Sequence, residues 1–174
     1  NHELVELIIR VQADRSFIQE SQQIVEDTLR RKFGFMHDRI EEILRRKPDT
    51  KLCFVDDSMV HGNTARRITR AFRDFGFKSI NWFYGEPPLL GPCHKGIDMI
   101  GPGRKLIAPQ FLKGGNLTPD CAALAAAIEA DSVSYLPLLD LYDAAGHLGR
   151  RAGFKKDDFC FGCFENRDPI WNKW

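Results

Sequence analysis

The sequence predicts an α/β fold in which a parallel sheet is flanked by helices. A short apolar run, Leu52 to Val55, is followed directly by an amphipathic helical pattern. A second strand pattern, SINWFY at 79–84, follows that helix, and the last third of the chain repeats the order helix, strand, helix. Strands that alternate with helices in this way are typical of a parallel sheet.

The composition is that of an ordinary globular chain. Its 174 residues are 43% hydrophobic, which allows a buried core and argues against disorder. The formal net charge is only +1, so no basic surface argues for nucleic acid. No apolar run approaches the roughly 18 residues of a membrane span, and no signal-peptide pattern is present. We therefore expect a cytoplasmic protein, with an organelle left open because the first residue is Asn1.

Two segments precede the central strand. Residues 4–22 begin with the apolar run LVELIIRV and are predicted to form a helix or strand packed on the core. Residues 23–47 are charged and helical in pattern, and Asp38 followed by Glu41 has the character of a capping box. Pro48 to Thr50 then form the turn into the central strand.

The turn between the central strand and its helix has the composition of a phosphate site. Ligands of open α/β sheets bind beyond the carboxyl ends of strands, and helix N-termini present free N–H groups to anions. Gly62 lets the backbone approach an anion closely. Asp56 and Asp57 have the chemistry to hold sugar hydroxyls or a magnesium ion. The alternative is an ordinary turn in which Thr64 or Asn63 caps the helix and the aspartates are solvated.

The remaining elements follow from local patterns. The helix after the central strand is predicted to end at Gly76. A later helix is predicted to start with Thr118 as its N-cap and Pro119 in its first turn. A short buried strand from Val133 to Leu136 and a helix from Leu138 to Ala145 complete the predicted fold.

Three of the five cysteines are candidates for a function. Cys160 and Cys163 form a CxxC pair, which is typical of metal, cluster and redox sites without choosing among them. Together with Cys93 they are either unligated thiols of a reduced cytosolic protein or ligands of a metal. A zinc site completed by His94 or His147 is a further alternative.

The segment VDDSMVHGNT at 55–64 resembles the phosphoribosyl-pyrophosphate (PRPP) motif of type I phosphoribosyltransferases, most closely the form VDDSIVRGTT of the amidophosphoribosyltransferases. The resemblance continues in RSFIQESQ at 15–22, which is similar to the family's RTFIQPSQ. It also includes PPLLGPCHKGIDM at 87–99, similar to PPxxxPCxxGIDM, and ADSVSYLPLLDLYDA at 130–144, similar to ADSLxYLSLEDLxEA. The resemblance implies a type I phosphoribosyltransferase fold over most of the chain.

The resemblance also implies a binding site. Asp56 and Asp57 would bind the ribose hydroxyls of PRPP and the associated Mg2+. The 5-phosphate would be wrapped by the residues that follow, which are Ser58, Met59, Val60, His61, Gly62, Asn63 and Thr64. The sequence departs from the family where His61 replaces an arginine and Asn63 replaces a threonine, and this alters side-chain support for the phosphate. Just before RSFIQESQ, the residues IRVQAD replace a pattern close to KNRYVG in the family's mobile loop.

The cysteines acquire a role through the same resemblance. In family members that carry an iron-sulfur cluster, the cysteine of the PC segment and a CxxCF near the C-terminus supply three of the four ligands. The resemblance therefore implies that Cys93, Cys160 and Cys163 bind a [4Fe-4S] cluster. The fourth ligand of the family lies upstream of the PRPP loop, outside this chain.

The resemblance implies a phosphoribosyltransferase-like domain at 1–150 and a C-terminal tail with the CxxC at 151–174. Family members begin with a glutaminase domain and the first strands of the transferase domain, and neither is recognisable in this chain. A sheet that starts at the central strand exposes an edge. We therefore expect the chain to belong to a longer polypeptide or to pack against a partner protein that completes the sheet, in an oligomer or complex.

Two functions are consistent with this sequence. The first is the transferase half of an amidophosphoribosyltransferase, in which ammonia from glutamine displaces pyrophosphate from PRPP to give 5-phosphoribosylamine in purine synthesis. The second is a catalytically degenerate phosphoribosyltransferase-like subunit, which keeps the fold, binds PRPP or a nucleotide, and has a structural role in a larger complex.

Overall fold

A computed structural model describes residues 3–10, 33–93, 96, 99, 105–155 and 158–167. The chain divides into two compact units at the boundary between Thr50 and Lys51. The predicted segment RSFIQESQ, the last four residues of IRVQAD and residues 23–32 lie outside the described residues.

The first unit contains an antiparallel strand pair and one helix. Strand β1 (Ile8–Arg10) pairs with β2 (Phe33–Phe35), and helix α1 spans His37–Arg46. The N-cap of α1 is Met36, and no side chain caps the helix, so the capping box predicted at Asp38 is wrong. Asp38 lies inside the first turn instead, where its charge still suits the positive end of the helix dipole.

The second unit is built on a parallel sheet, as predicted. Its strands are β3 (Lys51–Asp56), β4 (Ser79–Tyr84) and β5 (Ser132–Tyr135), in the order β3-β4-β5. The bounds of β4 are those predicted from its run of aromatic and β-branched residues. Strand β5 begins one residue before the predicted Val133.

Helices flank this sheet and connect its strands. They are α2 (Asn63–Phe75), a 3₁₀ turn (Ala108–Phe111), α3 (Cys121–Ala127), α4 (Leu138–Ala152) and α5 (Gly162–Glu165). Helix α2 ends at Gly76 in the left-handed conformation, as predicted. Helix α4 starts at the predicted residue and continues well beyond Ala145. Among the described helices, none combines the length and apolar character that a membrane crossing requires.

The start of α3 differs from the prediction. Its N-cap is Asp120, not Thr118, because the Asp120 carboxylate accepts hydrogen bonds from the N–H groups of Ala122 (3.1 Å) and Ala123 (3.0 Å). Pro119 cannot open the helix because its backbone forms an isolated antiparallel bridge with Leu112.

The core of the second unit is an aromatic layer between α2 and one face of the sheet. The Phe54 ring lies 5.1 Å from the Phe72 ring and 4.8 Å from the Trp82 ring. Thr69 is fully buried in the same layer, where its hydroxyl donates to the Ala65 carbonyl (2.8 Å) and accepts from Trp82 Nε1 (3.0 Å). Helix α2 therefore contacts the sheet through rings and through one buried polar link.

The arginines of α2 connect the helix to the turn between α3 and β5. Arg73 pairs with Asp131 at 2.7 Å, and the same carboxylate accepts from the Ile80 N–H at 2.6 Å. Although burial opposes it, the hydrogen bond from Ile80 and the charge of Arg73 lower the pKa of Asp131. Arg70 forms a bidentate pair with Glu129 one turn earlier. These contacts fix α2 against β4 and β5.

The other face of the sheet is largely open. Val55 is 79% exposed and Phe83, its neighbour in the register, is 42% exposed. Within the described residues, β3 is hydrogen-bonded to a strand on one side only. Strand β3, the central strand of the sequence prediction, is therefore an edge strand among the described residues. Helix α2 packs on one of its faces, and the other face is exposed.

The buried link between Thr69 and Trp82 provides a test of the packing. We expect Thr69→Val to lower the free energy of unfolding by about 1–3 kcal/mol, because the shape is kept while Trp82 Nε1 loses its acceptor. Urea denaturation followed by tryptophan fluorescence measures the change. Thr50→Val is the control, since the Thr50 hydroxyl makes an exposed bond within its own turn. Equal losses in both variants would contradict the buried link.

Candidate functional site

The carboxyl ends of β3 and β4 meet at one edge of the sheet. Asp56 is the last residue of β3, and its carbonyl accepts from the Gly85 N–H at 3.0 Å. Both Asp56 and Asp57 are exposed. Asp56 Oδ1 accepts from the Asp57 N–H (3.1 Å), and Asp57 Oδ1 accepts from the Ser58 N–H (2.7 Å). The two carboxylates are therefore held by their own backbone at the edge where ligands of such sheets bind.

The loop after the aspartates is held by a buried side chain and by hydrogen bonds to the 105–107 segment. Met59, near the start of the loop, is buried and only 3% exposed. The Val60 carbonyl accepts from the Ile107 N–H at 2.9 Å, and His61 Nδ1 lies 2.9 Å from the Lys105 carbonyl. Because a carbonyl can only accept, His61 carries its proton on Nδ1 in this contact. The loop is thus a fixed structure, and the His61 ring is partly occupied in fixing it.

Gly62 gives the loop its turn into the helix. It is the N-cap of α2, has a φ of 74°, and accepts from the Arg66 N–H at 3.0 Å. Glycine suits this position chiefly for its backbone angle. A Cβ here would also lie 2.4 Å from Ile107 Cδ1, so the end of the Ile107 side chain would have to move. The first turn of α2 contains no acidic residue. Its free N–H groups and positive dipole end therefore suit an anion.

The predicted PRPP-site residues span the last residue of β3, the loop after it and the first turn of α2. The alternative prediction, in which Asn63 or Thr64 caps α2, is wrong, because the N-cap is Gly62 and no side chain caps the helix. The aspartates, the left-handed glycine and the helix start are all present in the predicted order. This arrangement is able to hold a phosphate at the loop and helix start, with hydroxyl groups or a cation beside the aspartates.

Glu86 is a site residue that the sequence prediction missed. It follows β4 by two positions, at the same edge of the sheet as the aspartates. Burial raises the pKa of its carboxyl group to about 7, and the charges of Asp57 and Asp56 add to the shift. Although Asp56 is exposed as a residue, partial desolvation of its carboxyl group raises its pKa. The Asp57 N–H opposes this shift and the Asp57 charge adds to it. The signal available in the sequence was an acidic residue just past the end of a strand.

The aspartate pair fits magnesium in its donor chemistry. Mg2+ binds oxygen ligands and commonly takes one or two carboxylates together with phosphate oxygens of a substrate. The exposed carboxylates of Asp56 and Asp57 provide such ligands. Their combined negative charge also helps to hold a proton on Glu86, so a cation at the pair would relieve an existing repulsion.

Helix α5, which carries Cys163, lies against the segment that precedes Cys93. The Cys163 carbonyl accepts from the N–H groups of Leu90 (2.8 Å) and Gly91 (2.9 Å), which brings α5 onto the segment that precedes Cys93. Burial raises the pKa of the Cys163 thiol to about 11, with smaller contributions from Cys93, Glu86 and Cys160. The Cys163 thiol therefore interacts electrostatically with both other cysteines.

The three cysteines are not arranged as a metal site in the described part of the chain. Within the described residues, no group of three or more His, Cys, Asp or Glu side chains is arranged to hold a metal ion. His94, one of the two histidines in the zinc alternative, lies outside the described residues, and His147 is exposed on α4.

Comparison with known proteins gives one consistent name, although no family model matches the chain. It is 29% identical over 156 residues to the amidophosphoribosyltransferase of Archaeoglobus fulgidus, which covers 90% of this chain and 30% of that protein. It is 32% identical over 160 residues to the amidophosphoribosyltransferase of Mycobacterium leprae, covering 90% and 25%. The enzyme of that name from Drosophila melanogaster is 32% identical over 158 residues, covering 89% and 26%.

Solved structures give the same result. A glutamine PRPP amidotransferase from B. subtilis, complexed with ADP and GMP, superposes with a TM-score of 0.62 at 28% identity, covering 93% of this chain and 32% of that one. A structure described as the allosteric regulatory enzyme of purine biosynthesis also gives 0.62, at 27% identity, covering 94% and 31%. The predicted type I phosphoribosyltransferase-like α/β fold is confirmed. The chain spans about a quarter to a third of the length of the relatives it matches.

The turn at Gly62 can be tested by stability alone. We expect Gly62→Ala to destabilise the protein by about 1–2 kcal/mol for the left-handed backbone, plus a further loss from the contact with Ile107. Gly153→Ala is the matched control, because Gly153 has a φ of 82° at a helix end and nothing within 4 Å of an added Cβ. Urea denaturation measures both losses. If Gly62→Ala costs no more than Gly153→Ala, the packing of Ile107 over the turn is contradicted.

Proposed function

We propose that this chain, which is similar to amidophosphoribosyltransferases over nine tenths of its length, provides the PRPP-binding part of such an enzyme. The reaction proposed is the displacement of pyrophosphate from PRPP by ammonia derived from glutamine, which gives 5-phosphoribosylamine for purine synthesis. Residues 1–150 would form the phosphoribosyltransferase-like part and residues 151–174 the tail that carries the CxxC.

The observation that carries this proposal is the anchored loop at the carboxyl edge of the sheet. Its left-handed Gly62 turns the backbone directly into α2, where free N–H groups face an incoming anion. Asp56 and Asp57 stand at the other end of the same loop with exposed carboxylates. A sugar phosphate has both of the chemical groups that such a site accommodates, an anion and neighbouring hydroxyls.

The residues would act mainly by binding and orientation. The loop from Ser58 to Thr64 would wrap the 5-phosphate through backbone N–H groups other than that of Ser58, which donates to Asp57 Oδ1. The Asp56 and Asp57 carboxylates would accept from the ribose hydroxyls. Magnesium, when bound at these two carboxylates, supplies positive charge beside the departing pyrophosphate. The contacts of Val60 and His61 with the 105–107 segment would keep the loop in place before the ligand arrives, which reduces the entropy lost on binding.

The names of the relatives favour the enzyme over a catalytically degenerate subunit. The His61 and Asn63 substitutions alter side chains of the loop but leave its backbone N–H groups available for phosphate. For assembly, we propose that further segments of a longer polypeptide or a partner protein cover the open edge of β3.

Binding of PRPP tests the proposed site. We expect Asp56→Asn and Asp57→Asn each to weaken PRPP binding in the presence of magnesium by about tenfold or more, because a charge-assisted hydrogen bond and a cation ligand are lost. Asp143→Asn, at an exposed position of α4, should leave the affinity unchanged. Isothermal titration calorimetry measures all four proteins.

Absence of PRPP binding by the wild-type chain would contradict the proposed site. A pyrophosphate-release assay with ammonia then separates the two functions. Turnover that is lost in Asp57→Asn supports the transferase. Binding without any turnover would favour the degenerate subunit.

We also propose that Cys93, Cys160 and Cys163 are three ligands of a [4Fe-4S] cluster whose fourth ligand lies outside this chain. Thiol chemistry and the electrostatic proximity of the three residues support this proposal, although a local rearrangement would be needed to form the site. Protein purified anaerobically should contain iron and show broad visible absorption, and Cys163→Ser should reduce both, whereas Cys53→Ser should not. Wild-type protein without iron would contradict the cluster.

A further inference from the structure

The last row of side chains across the parallel sheet is polar. The register pairs Asp56 with Tyr84, and Tyr84 with Tyr135, so one residue from each strand lies in this row. The preceding row on the same face, two residues back along each strand, is apolar and consists of Phe54, Trp82 and Val133. The change from apolar to polar occurs at the carboxyl edge, beside the aspartate pair of the proposed PRPP site.

Three oxygen atoms in this region are buried without a hydrogen-bond partner among the described residues. They are Tyr84 Oη, Tyr135 Oη and Glu86 Oε1. Tyr84 as a whole is only 4% exposed. The protein satisfies a comparable donor one row earlier, where Trp82 Nε1 reaches Thr69. Most buried polar atoms of folded proteins are paired, so three unpaired oxygens in one place require an explanation.

The three groups form one cluster with the aspartates. The rings of Tyr84 and Tyr135 stack with centroids 5.3 Å apart. The Tyr84 hydroxyl interacts electrostatically with Tyr135 and Asp56. The Tyr135 hydroxyl interacts with Cys121 and, more weakly, with Glu86. Glu86 in turn interacts with Asp57 and Asp56. The unpaired oxygens therefore adjoin the carboxylates proposed to hold the ligand.

The chemistry of the cluster selects the kind of group that it binds. Burial raises the pKa of both tyrosines, so each hydroxyl stays protonated and is able to donate as well as accept. Glu86 adds a carboxyl group, which accepts when ionised and also donates when it holds its proton. A phosphate group offers only acceptors and would be repelled by the neighbouring carboxylates. A sugar hydroxyl both donates and accepts, and matches the cluster.

We propose that Tyr84, Tyr135 and Glu86 form a second recognition element of the ligand site, which binds hydroxyl groups of the sugar that Asp56 and Asp57 hold. This inference rests on the proposed function, because it assumes a sugar phosphate at the loop. It adds residues from β4 and β5 to a site otherwise built from β3 and its loop. The unpaired oxygens are then binding groups that cost stability in the free protein and gain partners from the ligand.

The test compares two probes in the full 174-residue chain. Ribose 5-phosphate with magnesium carries the hydroxyls, and inorganic phosphate with magnesium does not. We expect Tyr84→Phe, Tyr135→Phe and Glu86→Gln each to weaken ribose 5-phosphate binding by about fivefold, the effect of one hydrogen bond. The affinity for inorganic phosphate should change by less than about twofold. Isothermal titration calorimetry measures both.

Melting temperature provides the second readout. Tyr84→Phe and Tyr135→Phe remove buried hydroxyls without partners, so the free protein should melt at the same or a higher temperature. Tyr142→Phe is the matched control, because the Tyr142 hydroxyl donates to Glu165. That variant should melt at a lower temperature and bind ribose 5-phosphate as the wild type does.

The outcomes separate this inference from the proposed function. If the wild type binds ribose 5-phosphate and the three cluster variants bind it equally well, the second recognition element is wrong and the proposed site stands. If Tyr84→Phe lowers the melting temperature and weakens both probes alike, the hydroxyl is structural and the inference is again overturned. If the wild type binds neither PRPP nor ribose 5-phosphate, the proposed function itself fails, and this inference with it.

Discussion

The register of the parallel sheet is the constraint on which the rest of this structure depends. In each strand, alternate side chains face α2, so the pairing of Asp56, Tyr84 and Tyr135 fixes which residues of three distant segments meet. A slip of one residue in β3 would turn Val55 toward α2 and Asp56 toward the open face. The aromatic contacts of Phe54 with Phe72 and Trp82 oppose such a slip, because they require Phe54 to face the helix.

The position of α2 on the sheet also fixes the loop that leads into it. Asp131 accepts from Ile80 at the start of β4 and pairs with Arg73 on α2, so the helix is oriented by the strand beside β3. At the other end, Ile107 holds Val60 and packs over Gly62. A candidate phosphate loop thus lies between two fixed supports, which is the preorganisation that binding of a small anion requires.

The sequence alone predicts those features that depend on neighbouring residues. The aromatic run at 79–84 indicates β4, Gly76 ends α2, and the order of aspartates, small residues and helix identifies the loop. Features that depend on contacts between distant segments were not predictable. The bridge between Leu112 and Pro119 moves the cap of α3 from Thr118 to Asp120. Tyr84 and Tyr135 look like ordinary strand residues until the register sets them side by side with Asp56. The convergence of Cys93 on Cys163 likewise depends on the docking of α5, which no local pattern reveals.

The loop from Ser58 to Thr64 is the proposed binding site for the phosphate of a sugar phosphate. Nitrogen-15 labelled protein titrated with ribose 5-phosphate and magnesium tests this claim most directly, because each backbone N–H is observed separately. We expect saturable chemical-shift changes that are largest for the N–H groups of Gly62, Asn63 and Thr64, and much smaller in α4. Saturable changes that leave these loop signals unmoved, or no changes at all, would contradict it.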